Sequence, residues 1–323
     1  MMNKPRNEMP TVGLIIPCYN EEEVLPALLV RLRSLISHWP FTTHVLFVDD
    51  GSRDRTPVIL HEACSEDERL AYMRFSRNFG HQSAVSAGLK HIRGEVICVL
   101  DADLQDPPEF VETMIQSWKD GYDVVYGVRQ KRKEALVLRW AYAFFYRILK
   151  SIANVDMPLD AGDFSLMDRR VVDHINAMPE HNRFIRGLRG WVGYRQIGIP
   201  YERAGREAGA PKYTLRRLLN LALDGLISFS SVPLRIASWV GAMASLLGFV
   251  LIVWALLSKI IYGATPSGWT SLAVMMLFFG GIQLIVLGII GEYVGRIFDE
   301  VKNRPHYLIE QVQGWLREDK NTE

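Results

Sequence analysis

The stretch Cys98-Val-Leu-Asp-Ala-Asp-Leu-Gln-Asp-Pro-Pro108 decides how this chain is read. An apolar, β-favouring run, Val96 to Leu100, meets three carboxylates, Asp101, Asp103 and Asp106, and then a proline stop. A buried strand that ends abruptly in acids puts those acids at the carboxyl edge of a sheet, where open α/β sheets bind ligands. Asp101 and Asp103 are two residues apart, so on an extended backbone their side chains share one face, with Gln105 next in that register. Two carboxylates and an amide oxygen make a hard oxygen site of the type that holds Mg²⁺ or Mn²⁺ with substrate phosphates. For a D-x-D taken alone, a solvated acidic turn is the alternative.

The flanking sequence repeats the pattern. Val12-Gly-Leu-Ile-Ile-Pro17 leads into Cys-Tyr-Asn-Glu-Glu-Glu and a helix over roughly residues 22–38. His44-Val-Leu-Phe-Val-Asp-Asp50 is a second strand ending in acids, followed by Gly51-Ser52 and a helix. Leu70 to Phe75 is a third, running into Arg77-Asn-Phe-Gly80. The next helix, Gln82 to His91, carries Ala84, Ala87 and Gly88, small residues suited to close packing on a sheet. Val96 to Leu100 is the fourth strand and Asp123 to Gly127 the fifth. Strands alternating with helices predict an α/β fold with a mainly parallel, doubly covered sheet and one ligand site along its edge. Tyr19 can stack on a base, and Glu21 and Asp50 can accept hydrogen bonds from a nucleoside. Arg129, Arg206 and Lys212 are candidates to bind anionic oxygens of a diphosphate or a lipid phosphate.

Composition separates the chain into two regimes. Its 323 residues carry a net charge of +1, which argues neither for nucleic acid nor for an acidic partner, and no nucleic-acid partner is expected. Cys18, Cys64 and Cys98 have no pairing or metal-ligand spacing and read as reduced core residues in a cytoplasmic milieu. The first ten residues lack an apolar run, so no cleavable signal peptide is expected. By contrast, Ile236 to Ser258 is uncharged, and Ile260 to Gly291 contains no charged residue. Each exceeds the roughly 20 residues that cross about 30 Å of hydrocarbon. Two membrane spans follow, in preference to two buried helices of a soluble core. An aromatic helix over 135–152, behind Lys131, Arg132 and Lys133, suits either a membrane interface or an ordinary core. Leu215 to Val232 reads as an interfacial helix entering the first span. The loop between the spans has no Lys or Arg, whereas Arg216, Arg217, Arg235, Arg296, Lys302 and Arg304 flank the other side. The positive-inside rule then puts the large domain and both termini in the cytoplasm. Lys259, near the outer end of the first span, is the dissenting charge and can snorkel to the interface.

Several motifs together resemble glycosyltransferase family 2, with its GT-A fold. They are Ile16-Pro-Cys-Tyr-Asn-Glu21, Val48-Asp-Asp-Gly-Ser52, Arg77-Asn-Phe-Gly80 and Asp101-Ala-Asp-Leu-Gln-Asp-Pro107. Gly162-Asp-Phe-Ser-Leu-Met167 and the spans ending Gly291-Glu-Tyr-Val-Gly-Arg296 are similar to the polyprenyl-phosphate glycosyltransferases. Those include bactoprenol glucosyltransferases, aminoarabinose-type transferases and dolichol-phosphate mannose synthases. Met178 to Gly187, with Trp191-Val-Gly193, most resembles the bactoprenol glucosyl branch. The resemblance covers about residues 11–310. It implies Pro17, Tyr19, Glu21 and Asp50 at the nucleoside and Asp101, Asp103 and Gln105 at the metal. It further implies Arg129 near the diphosphate, and Arg206 and Lys212 near phosphates on the membrane side. Ala210-Pro211 precedes Lys212 where relatives usually carry Ser or Thr directly before the Lys. His81 follows Asn-Phe-Gly where glucosyl relatives often carry Lys.

The layout expected is a GT-A domain over 1–212, an interfacial helix over 213–232, two transmembrane helices over 233–292 and a cytoplasmic tail over 293–323. The activity implied is a metal-dependent, inverting transfer of a hexose, glucose from UDP-glucose, onto undecaprenyl phosphate at a bacterial inner membrane, in cell-envelope polysaccharide modification. Another sugar (aminoarabinose-type, mannose or N-acetylhexosamine) and a silent scaffold partnering a flippase are the rivals. Relatives imply a homotetramer. A processive polysaccharide synthase is disfavoured because Leu136 stands where its Q-x-x-R-W motif needs Gln. Asp163 is the catalytic candidate, either as a base or as a group positioning the acceptor or a sugar hydroxyl. A phosphate monoester has a second pKa of about 6, so the nucleophile carries no proton that must be removed.

Overall fold

The four apolar runs form the centre of a single sheet. The computed structural model describes residues 6–130, 161–180, 183–202, 232–262 and 268–319. Strand β1 (Val12–Cys18) is buried throughout. It pairs in parallel with β2 (Thr43–Asp49) on one side and β4 (Val96–Val99) on the other, while β2 pairs in parallel with β3 (Leu70–Phe75). Helices α1 (Leu25–His38), α2 (Thr56–Glu66) and α3 (His81–His91) make the crossovers. On α1, Leu25, Leu28, Leu29, Leu32 and Ile36 are buried, the 3–4 spacing of one helical face. Gly88 lets α3 approach the sheet: a Cβ there would stand 2.2 Å from Cγ2 of Ile15.

The sheet has eight strands in the order β7-β5-β6-β4-β1-β2-β3-β8. Helix α4 (Phe110–Lys119) leads to β5 (Val124–Gln130), which begins within the expected fifth strand and runs three residues further. Three strands were not read from the sequence: β6 (Ala161–Asp168), β7 (Gln196–Glu202) and β8 (Ile309–Gly314). Strand β6 lies antiparallel between β4 and β5, and β7 is parallel to β5. Helices α5 (Arg169–Ala177) and α6 (Ile185–Trp191) connect β6 to β7. Successive strands β1, β2 and β3 step outward in one direction, and the chain then returns to place β4 on the far side of β1. That reversal is the topological switch point, the place where such sheets open a crevice beyond their carboxyl ends.

Two compact units divide the chain: Met1–Lys150, Val155–Lys212 and Arg304–Glu323 form one, Ser151–Asn154 and Tyr213–Asn303 the other. The last segment of the first unit corrects the sequence reading. Residues 293–323 were expected to be a tail, but β8 pairs antiparallel with β3 and Trp315 and Leu316 of α9 (Trp315–Asp319) are buried. The second unit contains α7 (Val232–Tyr262) and α8 (Trp269–Lys302), which lie against each other. Both are long and apolar enough to cross a membrane, and Trp239, Met243, Phe249, Leu284 and Ile285 stand exposed on them. Helix α8 is unbroken past Glu292, so the first residues of the expected tail are its own last turns, ending at a left-handed Asn303. The aromatic helix expected over 135–152, the interfacial helix over 213–232, Arg206 and Lys212 lie outside the described residues.

Candidate active site

The carboxyl ends of β1 and β2 are tied together by side chains bonding to backbone. Asn20 is in the left-handed region at φ 54°. Its N–H donates to Ser52 Oγ at 2.9 Å, and its Oδ1 accepts from Arg53 N at 2.9 Å. Thr56 Oγ1 accepts from Glu21 N, and Asp49 Oδ1 from Ser52 N, each at 2.9 Å. Pro17, Tyr19 and Glu21 therefore sit on a braced ledge, with the Tyr19 ring exposed. Asp50 has a structural task not assigned from sequence: its carboxylate accepts from Phe79 N at 2.6 Å and Gly80 N at 2.9 Å. Burial raises its pKa, and these two backbone bonds pull against the rise. Gly51, at φ +69°, is required here because a Cβ would lie 2.5 Å from the carbonyl carbon of Arg77. The motif Asp50-Gly51-Ser52 thus fixes the Arg77–Gly80 loop against the ledge.

Beside β1, β4 ends at Val99 and Leu100 N still bonds Ile15 O at 2.9 Å. The chain then turns, contrary to the extended register expected for Asp101, Asp103 and Gln105. Asp103 Oδ1 accepts from Gln105 N at 3.1 Å and Leu104 takes φ 56°. A left-handed leucine costs on the order of 1–3 kcal/mol unless its surroundings hold it. Here Asp106, bonded by the Tyr201 hydroxyl of β7, clamps the far end of the turn. The acids still feel one another: burial, with Asp163, Asp106 and Asp103 adding to it against the opposing pull of His81, pushes Asp101 up to about 6. Gln105 is buried and its Nε2 has no hydrogen-bond partner. Among the described residues no three His, Cys, Asp or Glu side chains form a ready-made metal cage. Two mutually repelling carboxylates and a buried amide fit instead a cation whose coordination is completed by substrate oxygens, the usual arrangement for Mg²⁺.

Across from Asp101 stands Asp163. The β4–β6 register ends with Val99 paired to Ser165, which brings the start of β6 beside the turn after β4, where the charge of Asp163 acts on Asp101. The Asp163 side chain is 9% exposed and is held bidentately by Arg186 of α6, Nε to Oδ1 and Nη2 to Oδ2, both at 2.8 Å. His81, the first residue of α3, approaches Oδ2 with Nε2 at 3.3 Å. Burial by itself would raise the Asp163 pKa, but the bonds from Arg186 and His81 outweigh it and hold the carboxyl far below the ordinary range. For His81 burial lowers the pKa, while the Asp163 bond and the charges of Asp101 and Asp163 raise it more. Gln82 Oε1 accepts from Ile185 N at 3.0 Å, docking the start of α6 on α3.

His81 and Arg186 are the residues that the sequence reading left without a role. Both lay inside motifs singled out above, yet nothing local shows that segments about a hundred residues apart meet at one carboxylate. The backbone of Arg129 lies near the carboxyl end of β5, in register with Tyr201.

The matching family models are Glycosyl transferase family 2 over residues 14–175 and GtrB C-terminal hairpin over residues 232–297. The chain is 45% identical over 303 residues to the "Uncharacterized glycosyltransferase YkcC" of Bacillus subtilis (strain 168), covering 94% of each protein. It is 37% identical to the "SfII prophage-derived bactoprenol glucosyl transferase" of Shigella flexneri, covering 93% of this chain and 97% of that one. It is 38% identical to the "Prophage bactoprenol glucosyl transferase homolog" of Escherichia coli (strain K12), covering 94% and 99%.

Proposed function

Because the chain belongs to glycosyl transferase family 2, we propose that it is a membrane enzyme moving glucose from UDP-glucose onto undecaprenyl phosphate, with inversion. One observation carries this: Asp101, His81 and Asp163 meet beside the switch point, in a chain that also carries the apolar C-terminal hairpin. Pro17, Tyr19 and Glu21 form the nucleoside ledge, and Asp50 shapes it through Phe79 and Gly80. Asp101, Asp103 and Gln105 are the residues that hold Mg²⁺ or Mn²⁺, whose chemistry there is to neutralise charge gathering on the departing diphosphate. Arg129, Arg206 and Lys212 serve phosphates, the first at the donor and the others at the acceptor.

In the reaction an oxygen of the acceptor phosphate attacks the sugar's anomeric carbon. The bond from that carbon to the UDP oxygen breaks from the opposite face, and UDP leaves with the electron pair. No general base is needed, because the phosphate monoester is already ionised near neutrality. Asp163, held by Arg186 and far below its ordinary pKa, is a weak proton acceptor; it positions His81 and Arg186 around the reacting centre.

Helices α7 and α8 cross the bilayer as a hairpin. Because β8 returns to the sheet that contains β3, an even number of crossings must separate them. The test is a donor screen with purified protein, undecaprenyl phosphate and radiolabelled nucleotide sugars. Label entering the lipid from UDP-glucose is expected. Label from a different sugar would move the donor assignment, and none from any donor with the acids intact would favour a non-catalytic scaffold.

A further inference from the structure

Helix α6 carries two arginines one turn apart in opposite circumstances. Arg186 grips Asp163, and its side chain is 37% exposed. Arg189 is 2% exposed, and its Nε has no hydrogen-bond partner. Its guanidinium lies 5.2 Å from the ring centroid of Tyr126, and among the described residues no carboxylate stands within ion-pair distance of it. Burial lowers it to about 10, with Asp163 opposing that fall, so it remains cationic at neutral pH. A buried charge without a counter-ion is costly. Two guanidinium charges here face the one carboxylate of Asp163, and the neighbouring Asp101 belongs to the metal-binding turn.

Position along the sheet says what would neutralise this surplus. The nucleoside ledge lies over β2 and β1, the metal-binding turn follows β4, Asp163 opens β6, and Tyr126 lies on β5. Beyond β4, away from the ledge, lie β6 and then β5, and two strand spacings cover about 9.5 Å. A donor laid along this edge with its diphosphate at β4 points its sugar toward β6. An in-line nucleophile then arrives from the β5 side, where Arg189 sits against Tyr126. The planar guanidinium fork suits a phosphate. Helix α6 ends at Trp191, 68% exposed, an aromatic suited to the first apolar units of a lipid tail.

We propose that Arg189, beside the Arg186–Asp163 pair, is the anion subsite that receives the terminal phosphate monoester of a prenyl-phosphate acceptor. This rests on the transferase reading above, and the test separates the two. Full-length protein in detergent is titrated with farnesyl phosphate, farnesol, inorganic phosphate and UDP, following the thermal unfolding midpoint. Wild type, Arg189→Met and Arg189→Lys are compared, and turnover is measured in parallel. Farnesyl phosphate should stabilise wild type while farnesol and equimolar inorganic phosphate do not. Arg189→Met should lose about tenfold or more in affinity for farnesyl phosphate, the size of a lost charge-assisted bond, and should raise the acceptor KM alike. UDP affinity and donor KM should stay within about twofold. If Arg189→Met does not fold, Arg189→Lys, which keeps the charge without the fork, should show a smaller loss of the same selectivity. Unchanged farnesyl phosphate affinity, or equal losses for UDP and farnesyl phosphate, overturns the proposal. Equal stabilisation by inorganic phosphate through Arg189 removes its lipid part. If no donor yields product but farnesyl phosphate still binds through Arg189, the transferase reading falls and the subsite stands.

Discussion

A carboxylate gripped by both nitrogens of an arginine fork holds its shape and gives up its basicity. Asp163→Asn should therefore lower kcat by less than the roughly 10²–10⁴-fold that a general base contributes, and Asp163→Ala should lower it more. A pH series on the Asn variant is the measurement; a uniform loss near the top of that range would return Asp163 to the role of base. His81 provides a complementary pH signal. Its partners, Asp163 and Asp101, raise its folded pKa above the ordinary 6.5 in spite of burial and Arg186. A raised histidine adds stability in full below its unfolded pKa and loses it as pH rises through its folded one. Between about pH 6 and 8, the thermal midpoint of wild type should fall more steeply than that of His81→Gln. Parallel curves would mean that the His81–Asp163 contact contributes nothing measurable.

At the scale of elements, the chain shows which strands announce themselves. Strands β1, β2, β3 and β4 were legible because both sheet faces are covered, so each is a continuous apolar run. Strand β8 was not, since Glu310, Gln311 and Gln313 break its pattern and only its pairing with β3 makes it a strand. Strand β6 sits antiparallel among parallel neighbours, and no local preference sets that direction. Its consequence for the site is large, because an antiparallel strand brings its start, with Asp163, to the edge where β4 ends. The turn after β4 was legible as the acidic end of a buried strand but not in its geometry: the Asp103–Gln105 bond and the left-handed Leu104 replace the extended register. Gly314 tests the β8 contact. It sits at φ +74° with Leu70 O 2.4 Å from where a Cβ would stand. Gly314→Ala should destabilise the first unit by about 1–3 kcal/mol, read as a lower denaturant midpoint and faster proteolysis beyond residue 303. An unchanged midpoint would show that β8 adds nothing to the sheet.

For the whole molecule, the metal and the membrane make separate demands. Excess EDTA should abolish transfer, and Mg²⁺ or Mn²⁺ should restore it; full turnover in EDTA would remove Asp101, Asp103 and Gln105 from that role. Reporters fused after Glu323 and at Ser267 should give cytoplasmic and external signals respectively, and the reverse pattern would overturn the orientation. Helix α8, with 34 residues, is about 50 Å long at 1.5 Å per residue, against about 30 Å of hydrocarbon. On the proposed membrane reading its charged last turns, from Glu292 to Lys302, extend past the hydrocarbon, and the chain beyond them re-enters the sheet at β8. This sets a schedule for biosynthesis. A ribosome adds about 5–20 residues per second, and the first seven strands are complete roughly a hundred residues before β8 exists. Throughout that interval the outer rim of β3 is an open hydrogen-bonding ladder, the kind of edge that recruits foreign strands. The final strand can seal that rim only after both apolar helices of the hairpin have been made.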